Sequence, residues 1–234
     1  MSSTAAHRSV LVLNSGSSSL KYQLVDADSG EALASGIIDR VGEEYSNVTH
    51  AVGGEKSTRQ VPIANHAEAL TVVLGLFSEL GPQLSDSGIV AVGHRVVHGG
   101  TRFLEATVID DAVEADIEAL IPLAPLHNPA NLAGIRDARR LLPDVPHVAV
   151  CDTSFFATLP AATATYALNA EVAEQHQVRR YGAHGTSHRF VAEETAAFLG
   201  RELSCTSETA RRRRPFAAAT RSTPRWGSPR SKGS

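Results

Sequence analysis

The first indication of the fold comes from residues 10–25, which read VLVLNSGSSSLKYQLV. Aliphatic runs at 10–13 and 20–25 have strand character, and the Gly- and Ser-rich segment between them is typical of a turn. The stretch therefore predicts a β-hairpin. A third strand is expected over 34–40, and the polar segment 42–60 is expected to form a loop with room for one more strand.

Helical periodicity begins shortly after this polar segment. The first helix is predicted to follow Asn65, which can cap it in a capping box with Glu68, and to end at Gly81-Pro82. The later elements alternate between strand and helix. They are a strand over 89–97, a helix from Asp110 or Asp111, a helix from a cap at Asn128 to about 142, a strand over 147–150 and a helix over about 187–203. This order predicts an α/β fold in which helices cover a mixed sheet.

The composition is that of an ordinary globular protein. The chain has 234 residues, of which 42% are hydrophobic and 20% charged, and these values exclude collagen, coiled coil and wholesale disorder. Its length suits one or two domains. Two cysteines are too few for a disulfide framework, and no apolar run approaches the roughly 20 residues that cross a bilayer. We therefore expect a soluble, cytoplasmic protein without a membrane partner.

The charge distribution changes abruptly near residue 200. Residues 201–234 carry nine Lys and Arg against two Asp and Glu, a net charge of +7, whereas the whole chain has a net charge of −3. The segment after residue 203 has no hydrophobic period and is expected to be disordered. One interpretation of this basic tail is an arm that binds nucleic acid. We favour a shifted reading frame, because the composition switches at once, and expect no nucleic-acid partner.

The hairpin turn is the first segment whose side chains could do chemistry. Residues 14–21 combine exposed backbone N–H groups with several serine hydroxyls and Lys21, and together these groups can surround phosphate oxygens. The glycine spacing and the strand that follows exclude a Walker A loop. The alternative is a polar hairpin turn without a ligand.

Two charged residues are expected at strand ends. Arg95 shares a strand face with Val97, and its planar guanidinium must be paired, with a carboxylate or phosphate as a suitable partner. Asp152 follows the strand predicted over 147–150, where α/β proteins place groups that face ligands. The alternatives are a structural ion pair for Arg95 and a turn cap for Asp152.

Two histidines complete the set of candidates. His127 lies just before a predicted helix, where backbone donors favour an anion, although a histidine there is often only a cap partner. His184 has glycines close on both sides, so its ring is accessible to a ligand, and Thr186 and Ser187 after it can cap a helix.

Taken together, these segments resemble the acetate kinase (acetokinase) family. The matching segments are residues 12–21, 93–100, 123–132, 150–156 and 181–190. The resemblance runs from residue 9 to about 203, roughly the first half of a full-length member. It implies the ribonuclease H-like, actin-like ATPase fold, in which two related α/β domains flank a cleft. It also implies reversible transfer of the γ-phosphoryl group of ATP to acetate, which gives acetyl phosphate and ADP.

The resemblance implies a role for each candidate residue. Asn14 would help to hold Mg²⁺ or Mn²⁺, and Ser17 and Lys21 would lie near the phosphates of ATP. The substrate-binding residues would be Arg95, Val97, Leu126 and His127, and the catalytic residues Asp152 and His184. Full-length members are often homodimers, so the resemblance also implies a homodimer.

Two departures from the family's pattern change these expectations. Ala183 stands where the family usually has a phenylalanine that lines the acetate methyl pocket, and the smaller side chain would leave space for propionate. After residue 203 the family continues into a second phosphate loop that is missing here. We therefore expect a complete first domain over 1–152, an incomplete second domain over 153–203 that exposes apolar surface, and a tail over 204–234. The chain as written is expected to be inactive; the alternatives are a propionate or other short-chain acid kinase and a non-catalytic fragment.

Overall fold

The computed structural model describes residues 8–201. Its strands are β1 (Ser9–Ser15), β2 (Ser19–Asp26), β3 (Ala32–Asp39), β4 (Ser46–Val52), β5 (Glu55–Val61), β6 (Ile89–Val96), β7 (Thr107–Val108) and β8 (His147–Cys151). Its α-helices are α1 (His66–Leu80), α2 (Asp111–Ala119), α3 (Asn128–Leu141), α4 (Ala161–Ala164), α5 (Ala170–Gln175) and α6 (Gly185–Leu199), and 3₁₀ helices span Ile121–Leu123 and Asp152–Phe156. The tail predicted over 204–234 lies outside the described residues.

One mixed sheet joins these eight strands in the order β5-β4-β3-β2-β1-β6-β8-β7. β1 to β5 form an antiparallel meander, β6 is parallel to β1 and β8 is parallel to β6, and β7 pairs antiparallel with β8 at one edge. The predicted β1–β2 hairpin is confirmed, as is the predicted α/β class with helices on a mixed sheet.

The segment 42–60 differs from the expectation, because it holds two strands rather than a loop with one. β4 and β5 form a second hairpin that turns at Gly53 and Gly54, whose φ angles are 58° and 87°. β4 buries alternate side chains such as Val48 and His50, whereas β5 is a mostly exposed edge strand with polar side chains. An edge strand needs backbone pairing but no apolar face, so its sequence resembles that of a loop.

Both predicted ends of α1 are confirmed. The Asn65 Oδ1 atom accepts the backbone N–H of Glu68 at 3.0 Å, and the Glu68 carboxylate accepts the N–H of Ala64 at 2.8 Å. At the other end, the N–H of Gly81 donates to the carbonyl of Phe77. The capping groups therefore satisfy backbone groups that the helix itself leaves open.

The two middle helices differ in how well their starts match the prediction. The predicted start of α2 at Asp110 or Asp111 is confirmed, because the helix begins at Asp111 and the Asp110 carboxylate caps it by accepting the N–H of Val113 at 2.8 Å. The prediction that Asn128 caps α3 is wrong, because Asn128 is the first helical residue and His127 occupies the cap position. The Asn128 side chain bonds the backbone of His98 instead.

The sheet has a covered face and an open face. On the covered face, Leu11 and Leu13 of β1 are buried in a core cluster shared with α1 and α3, and Val92 and Val96 of β6 are fully buried. On the opposite face, which we call the open face, Val12 of β1 is 38% exposed. Helices α1 and α3 contact β1, β2 and β6, so they cover one side of the central strands.

The segment after β8 is helical and exposes much apolar surface. Its exposed large hydrophobic side chains are Tyr166, Leu168, Val172, Val178, Phe190, Val191, Phe198 and Leu199. The expectation of exposed apolar surface is confirmed for the described part of 153–203. Among residues 8–201, no helix is both long enough and apolar enough to cross a membrane.

Candidate active site

Three polar side chains meet on the open face at the carboxyl ends of neighbouring strands. Asn14 of β1 and Arg95 of β6 alternate with buried neighbours, so they point away from the covered face. Asp152 directly follows β8, whose last residue, Cys151, is buried on the covered face. The carboxyl ends of parallel strands are where open α/β sheets bind ligands.

Arg95 is the centre of this cluster. Its Nε donates to both carboxylate oxygens of Asp152 at 3.2 Å, and its Nη2 donates to Oδ2 at 2.7 Å. Its Nη1 donates to the Asn14 Oδ1 atom at 3.2 Å. The Arg95 side chain is still 32% exposed, whereas the Asp152 side chain is 2% exposed. Asp152 and Asn14 therefore fix the guanidinium, while part of the Arg95 side chain remains exposed on the open face.

Asp152 is surrounded by hydrogen-bond donors. Besides the Arg95 bonds, its Oδ1 atom accepts the hydroxyl of Thr186 at 2.8 Å. Bonds from the guanidinium and from the hydroxyl therefore fix the direction of this buried carboxylate. The arrangement suits a group that orients Arg95.

The start of α6 packs directly against Asp152. His184 precedes the helix in a left-handed conformation with φ 53°, and its side chain is exposed. Gly185 is buried so close to Asp152 that an added Cβ would overlap the Asp152 carbonyl oxygen. This contact fixes the start of α6, directly after His184, against the end of β8. The prediction that Thr186 and Ser187 cap the helix is wrong, because α6 has no side-chain cap bond.

Lys21 and Ser17 lie on the neighbouring hairpin. Lys21 of β2 pairs directly with Asn14 in the antiparallel register, so both side chains lie on the open face. Ser17 is exposed in the turn, which is closed by the N–H of Gly16 donating to the carbonyl of Ser19 at 2.8 Å. Sheet register thus brings Lys21 beside the cluster and leaves Ser17 at the tip of the turn.

The other predicted substrate-binding residues are less closely tied to the cluster. Val97 follows β6, and its backbone N–H donates to Asn131 at 3.0 Å. Leu126 is 78% exposed, and His127 is exposed at the start of α3. Among the described residues, no hydrogen bond joins the His127 side chain to Arg95 or Asp152.

Two buried asparagines of α3 brace the strand ends, and the sequence analysis missed this role. Asn131 also donates to the carbonyl of Ser15 at 2.6 Å, so it bridges the ends of β1 and β6. Asn128 bonds both the N–H and the carbonyl of His98. The available signal was the pair of asparagines three residues apart, which places both on one helix face.

One member of the buried histidine pair under the site, His94, does not titrate near neutral pH. His94 Nε2 lies 2.9 Å from His147 Nδ1, and His147 Nε2 lies 3.0 Å from the carbonyl of Leu142. Burial, and secondarily the neighbouring His147, lowers the pKa of His94 to about 3. His94 is therefore a neutral structural residue. Burial also raises the pKa of the Cys151 thiol to about 12, so this thiol is not a nucleophile.

The described residues offer a divalent metal very few ligands. No group of three His, Cys, Asp or Glu side chains between residues 8 and 201 could hold a metal ion. The Asn14 amide oxygen is one available ligand, and it now accepts a bond from Arg95. This donor set fits a metal that is held mainly by substrate phosphates and water, as Mg²⁺ commonly is.

A hollow of about 150 Å³ lies beside Thr153, the residue that follows Asp152, but none of the predicted site residues lines it. It is lined in part by Gly100, Thr153, Phe156, Arg179 and Tyr181. This hollow is therefore separate from the hydrogen-bonded cluster of Asn14, Arg95 and Asp152.

An arginine paired with a buried carboxylate and a Gly/Ser turn with a lysine thus lie together at the strand ends of this α/β sheet. The chain belongs to the acetokinase family, whose model matches residues 9–207. The predicted resemblance and fold class are therefore confirmed.

Curated relatives support the same family assignment. The chain is 54% identical over 194 residues to an acetate kinase of Clavibacter michiganensis and covers 49% of that protein with 83% of its own length. It is 55% identical over 194 residues to an acetate kinase of Leifsonia xyli, with the same coverage of both chains. The chain thus spans about half the length of the curated relatives it matches.

Solved structures agree with the sequence matches. A propionate kinase from Francisella tularensis superposes with a TM-score of 0.78 at 36% identity. The superposition covers 83% of this chain and 50% of the propionate kinase. An acetate kinase from Porphyromonas gingivalis superposes with a TM-score of 0.76 at 42% identity and covers 83% and 49%.

Proposed function

We propose that this chain forms the acid-binding side of an enzyme that reversibly transfers the γ-phosphoryl group of ATP to acetate. The products are acetyl phosphate and ADP. The observation that supports this best is Arg95, whose guanidinium Asp152 and Asn14 fix while part of the side chain remains exposed on the open face. Such a group can bind a carboxylate through two parallel hydrogen bonds.

The chemistry requires alignment and charge neutralisation more than proton transfer. Acetate is ionised at pH 7, so its carboxylate is already a nucleophile. In the proposal Arg95 orients the acetate oxygen that attacks phosphorus, and Asp152 keeps Arg95 in place. His184 lies at the start of α6 and steadies the phosphoryl group as it moves between the two oxygens.

The β1–β2 hairpin is proposed to bind the nucleotide. In this proposal Ser17 and Lys21 lie near the ATP phosphates. Asn14 would contribute one amide oxygen to a divalent cation, Mg²⁺ or Mn²⁺, which neutralises phosphate charge when bound. A cytoplasmic location and a homodimer belong to the same proposal. So do the domain limits: a first domain over 1–152 and the beginning of a second over 153–203.

A chimera tests this function. Residues 204–234 are replaced by the part of the Clavibacter michiganensis acetate kinase that follows the matched segment. The 234-residue chain alone is expected to form no measurable acetyl phosphate, because phosphoryl transfer needs groups on both sides of the substrates. The chimera is expected to form acetyl phosphate, measured by hydroxylamine trapping.

The chain and the chimera can each contradict the proposal in a different way. Turnover by the chain alone would show that residues from one side are sufficient. A chimera that is folded by circular dichroism but inactive would exclude the assigned chemistry. Calorimetric titration of the chain with ATP and Mg²⁺ separates a fragment that binds nucleotide from one that does not.

Ala183 favours a second candidate, a kinase for propionate or other short-chain acids. Ala183 is exposed next to His184, and an alanine leaves more space than the phenylalanine that the family usually has there. In the chimera, Ala183→Phe is expected to raise the ratio of kcat/KM for acetate to that for propionate by roughly tenfold, the typical value of one methylene in a pocket. An unchanged ratio would show that this position does not limit acid size.

A further inference from the structure

We propose that Thr186 is a positioning residue that orients the Asp152 carboxylate and, through it, Arg95; this inference rests on the proposed function. Nothing in the sequence pattern assigned it more than a helix-capping role. In the structure its hydroxyl instead crosses to the strand end and donates to Asp152 Oδ1 at 2.8 Å.

The hydrogen bonds around Asp152 show why this hydroxyl matters. Oδ2 is held by Arg95 Nη2 at 2.7 Å, a short charge-assisted bond. Oδ1 has a single longer bond of 3.2 Å from Arg95 Nε besides the Thr186 bond. Without the hydroxyl, Oδ1 is held weakly, and the carboxylate can rotate about its Cβ–Cγ bond. Arg95 then loses the fixed partner that sets the plane of its guanidinium.

The Thr186 hydroxyl is not required by the helix itself. The cap position of α6 belongs to His184, no side chain within residues 8–201 caps the helix, and Thr186 is exposed. Its bond spans 34 residues and joins the element that carries His184 to the strand end that carries Asp152. Thr186 thereby links the helix start next to His184, which is proposed to contact the phosphoryl group, to Arg95, which is proposed to bind the acid.

The kinetic test compares three variants in the chimera. Thr186→Val keeps the shape and removes the hydroxyl, Thr186→Ser restores the hydroxyl, and Thr195→Val makes the same change elsewhere on α6, where the hydroxyl only bonds the carbonyl of Val191. We expect Thr186→Val to lower kcat by about 10- to 100-fold with little change in the KM for ATP, as for groups that orient other functional groups. Thr186→Ser and Thr195→Val are expected to stay within about threefold of the parent.

A second readout uses the full 234-residue chain and needs no activity. In ¹⁵N-arginine-labelled protein, hydrogen exchange of the Arg95 Nε proton, assigned with Arg95→Lys, is expected to accelerate in Thr186→Val only. Equal exchange and equal kcat in Thr186→Val and Thr195→Val overturn the positioning role. If the parent chimera is inactive, the proposed function is wrong. The exchange rates then decide by themselves whether Thr186 fixes Arg95.

Discussion

Arg95→Ala in the chimera is expected to lower kcat/KM for acetate by about 10²- to 10³-fold, the usual cost of removing one well-placed charge-stabilising group. In the proposed site Arg95 is the central cation, and three hydrogen bonds to Asp152 fix the direction of its guanidinium. Losing it removes the bidentate partner of the acid and leaves the buried Asp152 carboxylate without its counter-charge. The KM for ATP is expected to change little, because the hairpin that carries Lys21 keeps its place.

Two control variants make this result specific. Arg95→Lys keeps the positive charge but not the planar pair of donors, so most of the loss is expected to remain. Arg102→Ala removes an exposed arginine that pairs with Asp116 on the surface and is expected to leave kcat/KM nearly unchanged. A loss of less than tenfold in Arg95→Ala, with unfolding by urea showing a stable protein, would contradict the assignment of the acid site.

The covered core was predictable because local patterns determine it. Leu70, Val73 and Phe77 recur with helical spacing and are all buried in α1, and the caps at its two ends are local contacts between residues three or four apart. The alternation of apolar residues in β1 and β2 likewise predicts a hairpin from neighbouring residues. Such signals require no knowledge of the rest of the chain.

The cluster of Asn14, Arg95 and Asp152 was only partly predictable. An arginine on a buried strand predicts that a partner exists, and the strand-end positions place the three residues on one side of a parallel sheet. The pairing itself spans 57 residues between Arg95 and Asp152 and depends on the strand order, which the sequence analysis did not derive.

The contacts that sequence reasoning missed depend on distant partners. Asn131 bonds Ser15 across 116 residues, and Thr186 bonds Asp152 across 34 residues. Locally, Thr186 also fits a helix-capping role, and nothing in the neighbouring sequence contradicts that role. β5 was missed for a similar reason, because its pairing with β4 rather than its own polar side chains makes it a strand.

Gly185→Ala is expected to damage both the stability and the activity of the site. The added Cβ would overlap the carbonyl oxygen of Asp152 and would lie 2.7 Å from the Cβ of Phe155. Both atoms belong to, or lie next to, the backbone, so α6 itself must move away from the 3₁₀ helix Asp152–Phe156. A displacement of about 1 Å is enough to cost on the order of 100-fold in rate. It also breaks the Thr186 bond to Asp152 and shifts His184.

The stability effect can be isolated with a matched glycine. Gly75 lies inside α1 with no atom within 4 Å of an added Cβ, so Gly75→Ala is expected to raise the free energy of unfolding by about 0.5–1 kcal/mol through helix propensity alone. Gly185→Ala is expected to lower it by about 1–3 kcal/mol, the range for overpacking a close contact. Urea unfolding of the full chain gives both values, and amide exchange over 185–199 reports undocking of α6. If both substitutions were equally well tolerated and the exchange of α6 were unchanged, the close contact between α6 and Asp152 would be wrong, and with it the position of the helix start that follows His184.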